Sequence, residues 1–307
     1  LSFILFLDKK FILSFCSFLL ALGSHELAIM APFFLFSLAH LRKIPIVLTL
    51  PFFVITLIFA YLDFIYIGFS SAEQQYHLAF SAKSIVNSLG WYLLWALGVP
   101  EMFVDFIGPG FAINPNLMKF WGNYVSLILI FFGVTLSIII VSFITVFKKL
   151  TKDGKNLLVF LWFPIALLPV VLLPLHKSTY YLNVSLFAFW AFIGVLLFSF
   201  YDFVKKRNFR VAVFFLVIFV VSTFCLSAVS VSLAEKTYPA VNRGRIAEKL
   251  IKDVQDKYPK LPKEAIIYFK NDPDYPKIGG DWGGSSKQAE FALNGNDALQ
   301  LIYRDPT

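Results

Sequence analysis

Long apolar runs alternate with short polar turns as far as residue 233, and then the pattern changes. Residues 11–22 form a short apolar helix that Gly23-Ser24 break, and a second helix runs from 25 to 40, ahead of Arg42-Lys43. A third span covers 44–69, and further spans cover 120–147, 157–174, 180–201 and 210–233. Most approach the roughly 20 residues needed to cross about 30 Å of hydrocarbon. Residues 79–98 differ: Lys83, Asn87 and Trp91 recur every four residues, with Ser84 and Ser88 beside them, so one helical face is polar. A Pro/Gly/Asn-rich loop occupies 99–119 and includes Gly108-Pro109-Gly110 and Asn114-Pro115-Asn116. From residue 235 the chain reads as a small α/β appendage. It has a charged amphipathic helix over 240–257, a strand over Ala265–Phe269, a loop from Asp272 to Ser286, and short helices Ser286–Leu293 and Asn296–Tyr303.

Charge gives these spans a direction. Twelve of the 15 Lys and Arg residues before position 235 sit in four clusters: Lys9-Lys10, Arg42-Lys43, Lys148 to Lys155, and Lys205 to Arg210. The other three are Lys83, Lys119 and Lys177. Basic residues collect on the cytoplasmic side of a bilayer, so the clusters orient the chain and put every other connection, with the tail, outside. Parity then demands that 79–98 start and end outside. A re-entrant or interfacial helical segment satisfies that demand; an ordinary crossing with a misplaced loop is the alternative.

Composition agrees. The chain of 307 residues is 58% hydrophobic and 15% charged, with mean hydropathy +0.74, whereas a soluble domain carries roughly 25% charge. The expected fold is an all-α polytopic membrane protein of seven spans over 1–234, plus the outer segment, with a small extracytoplasmic α/β domain over 235–307. The net charge of +8 divides as +7 before residue 235 and +1 after it. The excess therefore belongs to membrane-surface turns and not to a nucleic-acid interface. Cys16 and Cys225 lie inside apolar runs, which fits small buried side chains better than a disulfide framework. Opening at Leu1 within an apolar run, the chain is expected to be a piece of a longer protein.

Outer charges are the candidates for chemistry. His25 and Glu26 follow Ser24 at one outer junction. Ser24 as a helix cap, with Glu26 near the helix N-terminus, is the structural reading; a polar cavity is the functional one. Pro174 to Tyr181 forms a second junction. There Lys177 is a compact cation for phosphate, His176 can exchange a proton near neutral pH, and Tyr180 and Tyr181 suit either a site or an aromatic belt. The third candidate combines Lys83, Asn87, Trp91, Trp95, Pro100, Glu101 and Asp105: Trp rings stack on sugars or anchor at headgroups, and the two acids contact substrate or are simply solvated loop acids. Asp281 to Ser286 is a polar turn with one aromatic, able to touch a glycan but better read as a plain surface loop. No phosphate-binding Gly-rich loop, dinucleotide fingerprint, zincin motif or nucleophile elbow is present.

In this order, the three outer junctions resemble the C-terminal half of the GT-C superfamily of membrane glycosyltransferases. The likeness is to the branch holding protein O-mannosyltransferases and tetratricopeptide-bearing transmembrane mannosyltransferases. Leu22-Gly23-Ser24-His25-Glu26-Leu27-Ala28 is similar to the branch's Leu-Ser-Lys-Glu turn, with His25 in place of Lys. Ser84 to Pro100 looks like its outer amphipathic helix closing on Pro. Leu173 to Tyr181 is similar to its Glu-Arg-Tyr-x-Tyr junction, without the Glu-Arg pair and with Lys177 standing in for the Arg. The resemblance covers residues 8–201. It implies a polyprenyl-phosphate sugar as donor, with a glycan, lipid or protein as acceptor. It also implies transfer at the outer face of a prokaryotic plasma membrane, a divalent Mg or Mn ion, and an acidic catalytic motif upstream of Leu1. Lys177, Lys83 or a protonated His25 would then stabilise charge on the departing phosphate. A transporter or flippase for a lipid-linked or anionic solute, a lipid-linked-glycan ligase or polymerase, and a non-catalytic scaffold are the competing readings.

Overall fold

The computed structural model describes residues 1–67, 77–108, 112–152, 154–237, 239–262, 265–270, 285–295 and 297–304. The described residues are overwhelmingly helical and form no strand. The helices are α1 (Ser2–Leu7), α2 (Phe11–Leu22), α3 (Ala31–Arg42), α4 (Leu50–Leu62), α5 (Ala82–Ala96), α6 (Phe103–Phe106), α7 (Pro115–Lys152), α8 (Gly154–Val171), α9 (Leu182–Lys205), α10 (Phe209–Thr237), α11 (Pro239–Lys257), α12 (Ser285–Leu293) and α13 (Asp297–Tyr303). Contacts divide the chain into two units, Leu1–Ala96 with Ser137–Val217, and Leu97–Leu136 with Ile218–Thr307.

Among the described residues four helical stretches are long and apolar enough to cross a bilayer: Pro115–Lys152, Gly154–Val171, Thr179–Lys205 and Phe209–Thr237. Most of their apolar surface faces outward; Phe187 is 82% exposed and Phe224 72%. A helix that shows Phe on its outside is matched to hydrocarbon, where every backbone group must be paired internally. Of the seven expected spans, the other three are shorter apolar helices, Phe11–Leu22, Leu27–Arg42 and Ile46–Leu62. Local chemistry shortens them. A 3-10 turn, Glu26–Met30, precedes α3, and another, Ile46–Thr49, follows Pro45 and precedes α4. The third span ends in a π-helical turn, Asp63–Ile67, and residues 68–69 of it lie outside the described residues.

Helix α7 starts at Pro115, inside what reads from the sequence as a loop ending at 119. The Asn-Pro-Asn run is a cap, not a coil. Asn114 Oδ1 accepts the Asn116 N–H at 3.0 Å, and Pro115 occupies a first-turn position where its missing N–H costs nothing. At its other end α7 runs through Lys152, so its 38 residues span about 57 Å, more than the roughly 30 Å of a hydrocarbon core.

The first unit holds an aromatic core of Phe6, Phe18, Leu22, Leu35, Ala39, Ile44 and Phe52. Phe52 is its centre, with the rings of Phe6, Phe15 and Phe18 at 6.0, 5.3 and 5.4 Å. Pro45 and Pro51 at the start of the α4 segment fix the chain direction that delivers Phe52 into this cluster. Helices α8 and α9 form a hairpin that α5 and α3 also contact. Two of the basic turns in this unit, at Lys9-Lys10 and Arg42-Lys43, end their helices in the same way. Lys9 and Lys43 take left-handed backbone (φ 60° and 54°), and the next N–H reaches back five residues, Lys10 to Leu5 and Ile44 to Ala39. Glycine usually fills that position; lysine there costs about 1 kcal/mol of backbone strain and places a cation at a helix C-terminus.

In the second unit Thr135 and Ser222 share a buried hydrogen bond at 2.9 Å, and Lys236 Nζ donates to Tyr124 Oη at 2.5 Å. These pairs fix an antiparallel register between the α7 and α10 segments of that unit. Ser230 Oγ donates to the carbonyl of Gly98, whose positive φ of 97° and close approach to Leu226 need a residue without Cβ. In the tail, Val254, Ala289 and Leu293 are buried where α11 meets α12. Among the described residues of the tail no strand forms: Ala265–Phe269, expected as a strand, takes no regular structure, and Ile266 and Tyr268 stand exposed. An alternating apolar segment becomes a strand only where another strand pairs with it, and the described tail offers helices alone.

Replacing Phe52 by Ala should cost about 3 kcal/mol or more. Ile58→Ala on the outward flank of α4, 47% exposed, should cost no more than about 0.5 kcal/mol. Reversible unfolding in mixed micelles measures both; equal costs would show that Phe52 does not organise this unit.

Candidate functional site

Two of the expected junctions meet in the first unit. His25 takes extended backbone (φ −160°, ψ 130°) and caps the Glu26–Met30 turn with its side chain, its Nδ1 accepting the Leu27 N–H at 3.2 Å. Ser24, expected as the cap, instead donates its hydroxyl to the Leu20 carbonyl at 2.8 Å. The same device recurs at the other junction: Ser178 (φ −150°, ψ 145°) caps the 3-10 turn Thr179–Tyr181 by accepting the Tyr180 N–H at 3.3 Å. Each extended capping residue turns the chain into the next helix, and the two turns bring His25 and Tyr180 together. His25 Nε2 lies 2.9 Å from Tyr180 Oη, with the rings 5.8 Å apart and inclined by 22°.

This geometry fixes a tautomer. Because Nδ1 accepts a backbone N–H, the imidazole proton sits on Nε2, which donates to Tyr180 Oη. The Tyr180 hydroxyl keeps its own proton for another acceptor, and the residue is 53% exposed. In this tautomer both ring nitrogens of His25 are engaged, Nδ1 by the Leu27 N–H and Nε2 by Tyr180 Oη.

Lys177 supplies the cation. Its side chain is half-buried, its Nζ donates to the Pro174 carbonyl in the same turn, and burial lowers its pKa below the ordinary lysine value. A partly desolvated ammonium attracts an anion more strongly than a fully hydrated one. Around it the rings of His176 and Tyr181 lie 5.8 Å apart, and those of Tyr180 and Tyr181 lie 5.6 Å apart. His25, Tyr180, Tyr181 and His176 thus form a continuous run of rings beside the Lys177 turn. The Ala79 N–H donates to the Leu172 carbonyl at 2.8 Å, which ties the segment entering α5 to this connection.

The remaining candidates are distributed differently. Lys83 is exposed in the first turn of α5. Trp91, expected to offer a stacking face, is 8% exposed and packs 6.0 Å from Trp95, so it serves the core. The polar face expected along α5 is divided: Lys83 and Asn87 point outward, while Ser88, Trp91, Tyr92 and Trp95 are buried. Glu26 opens its 3-10 turn, but its side chain lies outside the described residues, as do Asp281 to Gly284. Glu101 and Asp105 belong to the second unit. Glu101 is half-buried in the turn before α6, and Asp105 is exposed on that helix. Among the described residues no three His, Cys, Asp or Glu side chains converge as ligands for a metal ion.

No family model, no curated protein and no solved structure matches this chain.

Tyr180→Phe keeps the ring and removes the acceptor for His25, and should cost about 0.5–1.5 kcal/mol of stability. In a double-mutant cycle with His25→Ala the two losses should be non-additive by a similar amount. Additive losses would mean the pair is not formed.

Proposed function

We propose that this chain belongs to an integral membrane glycosyltransferase and supplies the face that holds the phosphate of a polyprenyl-phosphate sugar. The observation that carries the reading is the meeting of the His25 and Tyr180 junctions beside the half-buried Lys177. A cation and a hydroxyl donor set between apolar helices suit a ligand that is anionic at its head and hydrocarbon behind it. The likeness of these junctions to those of the GT-C branch, in the same order, supports the same assignment. In this reading the site faces the outside of a prokaryotic plasma membrane and seven segments cross it. Helix α5, at 15 residues, is interfacial or re-entrant, and the tail beyond residue 235 lies outside.

The chemistry follows from charge. An acceptor hydroxyl attacks the anomeric carbon, its oxygen forming the new bond. The bond from that carbon to the phosphate oxygen breaks, and the phosphate keeps the electron pair. Lys177 Nζ and the Tyr180 hydroxyl donate to the phosphate oxygens as charge grows there, and His25 positions Tyr180 by donating to its oxygen. The acceptor proton passes to a base that no residue of 1–307 is assigned to be. Lys83, exposed in the first turn of α5 in the same unit, is a candidate for contacts to sugar or acceptor.

In the complete protein, Lys177→Ala should lower sugar transfer from a polyprenyl-phosphate donor about a hundred-fold or more, with helix content and folding unchanged. Unchanged transfer would remove Lys177 from the reaction. Uptake of the lipid-linked solute without transfer would make the protein a transporter.

A further inference from the structure

At the far ends of the same helices the chain carries a second feature, which the sugar-transfer reading does not use. Between α3 and the turn entering α4 the surface opens into a cleft of about 420 Å³, a volume in the range of small-ligand sites. One wall is the α3 face bearing Phe33 and Phe36; the other is Ile46, Val47 and Leu50; Phe53 closes the floor against both aromatic rings, at 5.1 and 6.5 Å. Thr49 also lines it, but its hydroxyl turns back onto the Ile46 carbonyl at 2.7 Å, so the lining presents only carbon. Among the described residues no side chain fills this space: Val47 is 67% exposed and Leu50 58%.

The walls are joined by a basic turn. Arg42 and Lys43, both exposed, lie where α3 ends, and Lys43 holds left-handed backbone so that the chain can reverse into Ile44-Pro45 and the second wall. His40, also exposed, continues the α3 face of Phe33 and Phe36 one turn further toward this end. Residues 31–53 contain no Asp or Glu. The Asp8 to Lys10 turn lies at the same end, through the contact of Phe6 with Phe52, and brings Lys9 and Lys10 with Asp8 as an acid beside them. An open carbon-lined cleft beside an exposed pair of cations fits one kind of occupant. Its body is a hydrocarbon chain and its head is a phosphate.

We propose that this cleft seats an acyl chain of an anionic phospholipid from the leaflet at the basic end, with the lipid phosphate at Arg42 and Lys43. The inference rests on the membrane embedding, not on sugar transfer. The apolar lining supplies affinity for any acyl chain, and the cations supply the choice of headgroup. A Lys or Arg at an anionic membrane surface contributes about 1 kcal/mol, hence about five-fold per charge and on the order of twenty-five-fold for the pair.

Native mass spectrometry of the full chain, released from micelles containing phosphatidylglycerol and phosphatidylcholine with matched acyl chains, tests it. One phosphatidylglycerol should be retained in preference to phosphatidylcholine. Arg42→Gln with Lys43→Gln should erase most of that preference while leaving acyl binding. Val47→Trp, at an exposed position and with both charges intact, should fill the cleft and abolish retention of either lipid. Helix content of both variants should match the parent. Equal retention of the two lipids by the parent, or unaltered retention in Val47→Trp, would overturn the proposal. So would displacement of phosphatidylglycerol by an equal concentration of polyprenyl phosphate. Sugar transfer measured on the same preparations reports separately on the outer site, so either reading can fail while the other stands.

Discussion

Charged side chains and unpaired peptide groups are both excluded from hydrocarbon, and this double exclusion arranges the first unit. Peptide pairing makes every long apolar run a helix. Charge exclusion leaves Lys10, Arg42, Lys155 and Lys205 at helix ends. Helices α2, α3, α8 and α9 each run between one of these basic turns and a connection without such a cluster. Those connections are consequently gathered at the ends away from the basic turns. The contact of His25 with Tyr180, 155 residues apart in the chain, is the local result.

The forces that hold this arrangement are individually small. Lipid tails are as apolar as leucine, so helix association depends on packing and on a few hydrogen bonds of roughly 0.6 kcal/mol on average. The Phe6, Phe15, Phe18 and Phe52 cluster supplies the packing in the first unit, and the Thr135–Ser222 bond supplies a polar rung in the second. The strained left-handed Lys9 and Lys43 show the opposite trade. A glycine would relax the backbone at those turns, but it would remove the cation that marks the helix end. What the proposed function needs from the scaffold is modest: two capped 3-10 turns held at a fixed separation, with a lysine half out of water between apolar helices.

Much of the fold was legible because its signals are long and redundant. Four long apolar runs, with basic turns between α7 and α8 and between α9 and α10, leave little freedom, and the helices α7 to α10 fall where hydropathy puts them. Short-range chemistry was harder to read. Asn114-Pro115 carries the same letters whether it is a loop or a helix start, and only the Asn114 Oδ1 contact to the Asn116 N–H separates the two. Ser24 and His25 are both able to cap, and the choice depends on which side chain meets its tertiary partner; His25 has Tyr180 to hold it. Trp91 stood out as an aromatic near polar neighbours, yet burial is a property of what packs against α5, which its own periodicity does not contain. The Ala265–Phe269 alternation marks a segment able to form a strand, and a strand needs a partner that the described tail lacks.

The central claim is that the His25–Tyr180 junction and the basic turns lie on opposite sides of a membrane. Single-cysteine labelling of intact cells tests it most directly, in a background where Cys16 and Cys225 are replaced by Ser. A cysteine at Leu175, 63% exposed in the connection after α8, should react with a membrane-impermeant maleimide added outside. A cysteine at Lys206, in the turn after α9, should react only after the membrane is opened. Labelling of both from the same side, or in the reverse sense, would contradict the account.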